Sequence, residues 1–224
     1  MIRRRLGILS ACAALLAAAA GCGAGAPTAG SSSGASAVSP ADATSSATPS
    51  ADPAAVAEWL ARGGCRAVEA TISAPPTVQS ASDANGPTVL TVTGQLRTDA
   101  VQPLRLDMAT LDAMPQVECS VDDRQAEGRQ VVFRGVLLST LLSSIGATPS
   151  TTLHTAALND YAVDLPLSDI ADLPVLLATR MDGQPMTVAH YGPLRVVYPT
   201  TGYDLDPTVY GPRWIWQLST IDVA

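Results

Sequence analysis

The sequence predicts an α+β domain, a mixed β-sheet carrying two or three short helices. Three observations predict it. The segment Tyr161–Tyr198 strings together an alternating run (Tyr161–Leu165), a continuous apolar run of strand length (Pro174–Thr179) and a third strand pattern (Leu194–Tyr198). Alternation marks a half-buried strand, and a bounded apolar run marks one covered on both faces. Helical spacing is confined to short stretches, and turn residues such as Asn159-Asp160 and Asp182-Gly183 punctuate the strand-length runs.

In chain order, residues 1–21 read as a signal peptide: Arg3, Arg4 and Arg5, then an apolar run from Leu6 to Ala20 with small residues before the break. The run is shorter than the roughly 20 residues a spanning helix needs. Ala19-Ala20-Gly21-Cys22 resembles the bacterial lipoprotein processing box, so Cys22 is expected to be lipidated and to anchor the protein to the outer face of the cell membrane. Two acyl chains, at about 0.8 kcal/mol per buried methylene, suffice for that; ordinary secretion is the alternative. Residues 22–52 are nearly all Gly, Ala, Ser, Thr and Pro, too poor in apolar surface to fold, and are expected to form a tether. Its end-to-end distance would be roughly 30 Å.

Residues 53–86 are expected to hold a helix and an arm. Asp52 can cap Pro53–Ala61, whose Val56, Trp59 and Leu60 share a face, and Gly63-Gly64 ends it before an alternating run from Cys65 to Ile72. Residues 87–224 form the expected domain. It opens with a strand at Thr88–Gly94 and a helix over Leu106–Met114, capped by Asp107 and stopped by Pro115. A strand at Gln116–Val121, a polar bulge over Asp122–Arg129, a strand at Val131–Phe133 and a helix over Val136–Ile145 follow. Strands at Leu153–Leu158 and Tyr161–Leu165 precede a helical turn at Leu167–Ala171 that Ser168 or Asp169 could cap. The end reads as a loop over Pro199–Pro212 and a strand over Arg213–Val223.

The chain has 20 Asp and Glu against 13 basic residues, all Arg, a formal charge of −7. A protein of that sign repels phosphate backbones, so nucleic-acid binding is excluded as a general function. Cys65 and Cys119 are the two cysteines left to the folded region, and outside the cytoplasm such a pair forms a disulfide; a free Cys119 thiolate ligand is the alternative. No Cys-x-x-Cys, metal-binding His pair, glycine-rich phosphate loop or Gly-x-Ser-x-Gly elbow occurs. His154 lies in a strand pattern and reads as structural, whereas His190, Tyr191, Gly192 and Pro193 form a loop that suits a ligand at a sheet edge. The competing reading is that His190 bonds its own loop. Asp164, Asp169 and Asp172 read as a solvated edge.

Four motifs go further: Phe133-Arg134-Gly135-Val136-Leu137, Met181-Asp182-Gly183-Gln184-Pro185, His190-Tyr191-Gly192-Pro193-Leu194-Arg195 and Arg213-Trp214-Ile215-Trp216-Gln217-Leu218. In this order the chain, over Thr88–Val223, resembles the molybdopterin-binding domain of the sulfite oxidase family in its short bacterial form. The resemblance implies that fold, a molybdopterin cofactor, His190, Gly192 and Arg195 beside the pterin, and Arg213 at its phosphate. It also implies a molybdenum-binding cysteine in a turn that here falls near Gln125, where none stands, and a lysine where Trp216 stands. Cys119 lies some six residues early, inside a strand.

Two expectations follow. The favoured one is a tethered binding module with a degenerate cofactor site and no metal ligand, serving an unknown protein or small-molecule partner. Tyr203, Tyr210 and Trp214 would then form a partner surface, unless Trp214 and Trp216 simply cover the sheet. The alternative is an active molybdopterin-binding oxidoreductase with a non-cysteine metal site.

Overall fold

A computed structural model describes residues 53–68, 86–96, 102–147 and 151–224. The segments expected as a signal peptide and a tether, with Cys22 and Asp52, and most of the expected arm lie outside the described residues. In chain order the elements are α1 (Pro53–Arg62), β1 (Cys65–Ala67), β2 (Thr88–Gly94), β3 (Leu104–Asp107), α2 (Met108–Asp112), β4 (Val117–Asp123), β5 (Arg129–Leu137), α3 (Leu138–Ser144), β6 (Thr152–Ala157), β7 (Ala162–Pro166), α4 (Leu167–Asp172), β8 (Leu176–Met181), β9 (Gln184–Pro185), β10 (Arg195–Val197), α5 (Pro207–Tyr210) and β11 (Leu218–Val223). Single 3-10 turns stand at Arg124–Ala126, Val188–His190 and Gly211–Arg213.

The expected α+β class is realised with two sheets. One runs β1-β4-β5-β8-β10, with β9 paired to β8, and is antiparallel throughout. The other runs β3-β2-β11-β6-β7, and its one parallel pair is β2 with β11. The apolar run of β8 explains its central place. Leu177 packs into the core shared with the second sheet, while Leu176 and Ala178 pack on the opposite face with Leu60, Phe133 and the two cysteines. Strands β5 and β8 approach so closely that a Cβ on Gly135 would stand 2.0 Å from the Leu177 carbonyl oxygen. Only glycine fits there.

Several boundaries differ from the sequence reading. The helix expected from Val136 begins at Leu138, because Val136 and Leu137 pair with Leu177 and Leu176 as the end of β5. The last strand begins at Leu218 and not at Arg213. Arg213 closes a 3-10 turn, Trp216 makes an isolated bridge to Arg195, and Gln217 takes a left-handed φ of 55°. Pro199–Pro212 is not all loop, since Asp206 caps α5 by accepting from Thr208 N and Oγ1, which holds its carboxyl below the usual range. Helix α4 has no side-chain cap. Asp169, expected at a solvated edge, is instead 7% exposed and serves an internal ion pair.

Cys65 and Cys119 sit opposite each other in the β1–β4 ladder and are joined in a disulfide. The bridge ties α1 to the domain. Trp59 Nε1 donates to the Asp172 carbonyl at 3.2 Å, and Gly202 packs on the backbone of Arg62, whose guanidinium lies 5.4 Å from the Tyr203 ring. Helix α1 thus braces the loop after β10. No helix among the described residues is long and apolar enough to cross a membrane.

On the outer face of the second sheet, Thr93, Asp222, His154 and Asp164 form one cross-strand row. His154 Nδ1 lies 2.7 Å from Asp164 Oδ1, and this hydrogen bond, then the charge of Asp164, raises the imidazole above its ordinary 6.5. The pair's contribution is complete below the unfolded-state value and is lost as pH rises through the raised one. An NMR titration is expected to show His154 titrating above 6.5, and Asp164→Asn is expected to bring it down.

Candidate functional site

A cleft of about 790 Å³ opens between three segments. One wall is the 3-10 turn carrying Arg124 and Gln125; a second is the β6–β7 turn with Asn159 and Tyr161. The third is the loop from Pro199 to Gln217, which contributes Tyr203, Tyr210, Trp214 and Trp216.

The first wall is fixed by a buried ion pair. Asp123, the last residue of β4, caps the turn by accepting from Gln125 N at 3.1 Å. It also receives both terminal nitrogens of Arg195, Nη1 at 2.8 Å and Nη2 at 2.9 Å. The two side chains are 0% and 2% exposed. The Arg195 guanidinium also lies 5.1 Å from the Phe133 ring, 5.3 Å from Trp214 and 5.7 Å from Tyr191. One side chain from β10 therefore neutralises Asp123, steadies the turn bearing Gln125 and steadies Trp214 on the facing wall.

A second pair holds the long loop. Arg213 Nη1 donates to Asp169 Oδ2 at 2.7 Å, and Tyr198 Oη donates to the same oxygen at 3.1 Å. Burial, and after it the Asp169 carboxylate, pushes the Tyr198 phenol far up. Arg213 also lies 5.0 Å from the Tyr210 ring, and Tyr198 meets that ring edge-on at 5.5 Å. Tyr161 Oη closes the rim by donating to the Pro212 carbonyl at 2.9 Å.

The residues that the sequence nominates for a cofactor stand around this cleft without lining it. Arg195 and Arg213 lie behind the walls, each with a carboxylate partner. His190 is exposed, with Nδ1 3.0 Å from Thr187 Oγ1, so it bonds its own loop. Gly192 is buried where a Cβ would meet the Met186 carbonyl oxygen at 2.4 Å, a packing demand. Tyr191, at φ 64°, puts its ring edge-on to Trp216 at 4.7 Å. Sequence reasoning passed over Arg124, Asn159 and Tyr161 as turn and strand-end residues; their positions flanking predicted turns were the available signal.

The lining does not suit a thiolate-ligated molybdenum or a dianionic phosphate. Both cysteines among the described residues are spent in the disulfide, and no group of three His, Cys, Asp or Glu side chains there could hold a metal. Arg124 is the one basic side chain lining the cleft among the described residues, and Asp122 shares the lining with it. A dianion calls for more donors than that.

Comparison with known proteins adds the family. Residues 87–224 match the oxidoreductase molybdopterin binding domain. No curated protein sequence matches the chain. Among solved structures it is similar to the sulfane dehydrogenase SoxCD from Paracoccus pantotrophus, at 16% identity and a TM-score of 0.46, covering 81% of this chain and 55% of that one. The chain thus spans little more than half the length of that neighbour.

Proposed function

The chain belongs to the oxidoreductase molybdopterin binding domain family, and from that premise we propose that it is a binding module in which the family's cofactor site has degenerated. One observation carries the proposal. Gln125 lines the cleft at the place where the resemblance puts the family's metal-binding thiolate, while Cys119 is locked to Cys65 on a neighbouring strand. A neutral amide cannot replace a thiolate as a strong, charged metal ligand. The proposal keeps the domain on the outer face of a bacterial cell membrane, tethered through a lipid on Cys22 and the residues up to 52, with the disulfide in keeping with an oxidising compartment.

Family membership favours a second reading, an oxidoreductase whose metal is held without cysteine. The two separate in one experiment. Mature protein purified from a host that assembles molybdopterin is expected to carry neither molybdenum nor pterin in proportion to chain. Stoichiometric amounts of both would overturn the binding-module reading.

A further inference from the structure

We infer that the cleft takes an extended, proline-rich polypeptide supplied by another protein, a reading that rests on the cofactor-free cleft proposed above. Three features of the cleft converge on that ligand.

The first is charge. Arg124 and Asp122 are the only charged side chains lining the cleft among the described residues, one of each sign, and Arg195 and Arg213 are occupied by Asp123 and Asp169. A ligand without net charge suits a lining without net charge.

The second is a set of rings held in place before binding. Trp214 rests on the Arg195 guanidinium, Trp216 on the Tyr191 ring, and Tyr210 between Tyr198 and Arg213, while Tyr161 is fixed by its hydrogen bond. Pyrrolidine rings stack on such surfaces, and a polyproline II strand is already stiff, so neither side loses much freedom on docking. At about 790 Å³ the cleft lies within the span of ligand sites, about 300–1,000 Å³. The rim continues outward through Leu158, 55% exposed, beside Tyr161 and Trp216 at 44% and 38%, as a ligand longer than the cleft requires.

The third is polarity. The indoles of Trp214 and Trp216, the Tyr210 hydroxyl and the exposed Gln125 side-chain amide bring hydrogen-bond donors to the lining. Proline has no N–H and a polyproline II backbone leaves its carbonyls unbonded, so that ligand offers acceptors to these donors. A sugar is the competing ligand class, and the experiment below includes one. Residues 22–52 hold prolines singly, at Pro27, Pro40 and Pro49, and residues 69–85 hold only the pair Pro75-Pro76, so a proline-rich run has to come from a second polypeptide.

The test titrates the full mature chain with decaproline, with a Gly-Ser decapeptide and with a chitin tetrasaccharide, following tryptophan fluorescence. Two of the three tryptophans face the cleft, and Trp59 supplies a constant background. A saturable change with decaproline alone is expected. Trp216→Ala and, separately, Gln125→Ala are expected to weaken it about tenfold or more, while Trp59→Phe leaves it in place; near-UV circular dichroism establishes that each variant is folded. No saturation by decaproline, or saturation by the tetrasaccharide in its stead, overturns the inference. Molybdenum and pterin assayed on the same preparation separate the two failures. A cofactor-free protein that ignores decaproline sinks this inference alone, whereas stoichiometric cofactor sinks the reading beneath it.

Discussion

Asp123→Ala is expected to lower the unfolding free energy by about 3–5 kcal/mol, the usual cost of stranding one member of a buried ion pair. Arg195 is fully buried, its Nε already has no partner, and its two terminal nitrogens both rely on Asp123. Removing the carboxylate leaves the guanidinium with aromatic faces only. It also uncaps the turn that carries Gln125. The exposed pair Arg129–Asp182, with side chains 60% and 42% exposed, serves as the control. Arg129→Ala should cost no more than about 1 kcal/mol, since surface pairs are screened and mobile. Urea unfolding measures both, read from midpoints at unchanged slope. A loss below about 1 kcal/mol for Asp123→Ala would show that the pair does not hold the cleft wall.

Replacing Cys65 and Cys119 together by serine is expected to cost about 3–4 kcal/mol, because the bridge closes a long loop in the unfolded chain. The sequence separation is 54 residues. The loss should fall unevenly across the fold. Helix α1 would be left with Leu60, Trp59 and the contact of Arg62 with Gly202, and β1 would be held to β4 by its three-residue ladder without the covalent link. Hydrogen exchange should therefore rise first in α1, β1 and the loop near Gly202, and reduction of the wild-type protein should reproduce the pattern. Equal acceleration across β6, β7 and β11 would contradict this localisation.

How far the sequence disclosed the molecule depended on distance along the chain. Strand β8 and the turns at Asn159-Asp160 and Asp182-Gly183 were legible because their causes are local: an unbroken apolar run, and residues that accept the left-handed φ seen at Asp160, Asp182 and Gly183. The family motifs were legible for the same reason. The start of α3 was misplaced because Val136 and Leu137 obey their β8 partners and not their helical neighbours. The site suffered most. Arg195 and Arg213 read as anion ligands because nothing local announces that Asp123, 72 residues away, and Asp169, 44 residues away, claim them. The cleft itself is assembled from turn residues of three separated segments, whose common position is a property of the two sheets.

In the proposed binding module Arg195 and Arg213 are internal braces and the cleft holds no molybdopterin. A crystal structure of the protein purified from a host that assembles the cofactor tests it most directly. Arg195 is expected to be paired with Asp123 and Arg213 with Asp169, with no pterin density beside Gln125. Pterin density in the cleft, with either arginine turned from its carboxylate onto the phosphate, would contradict it.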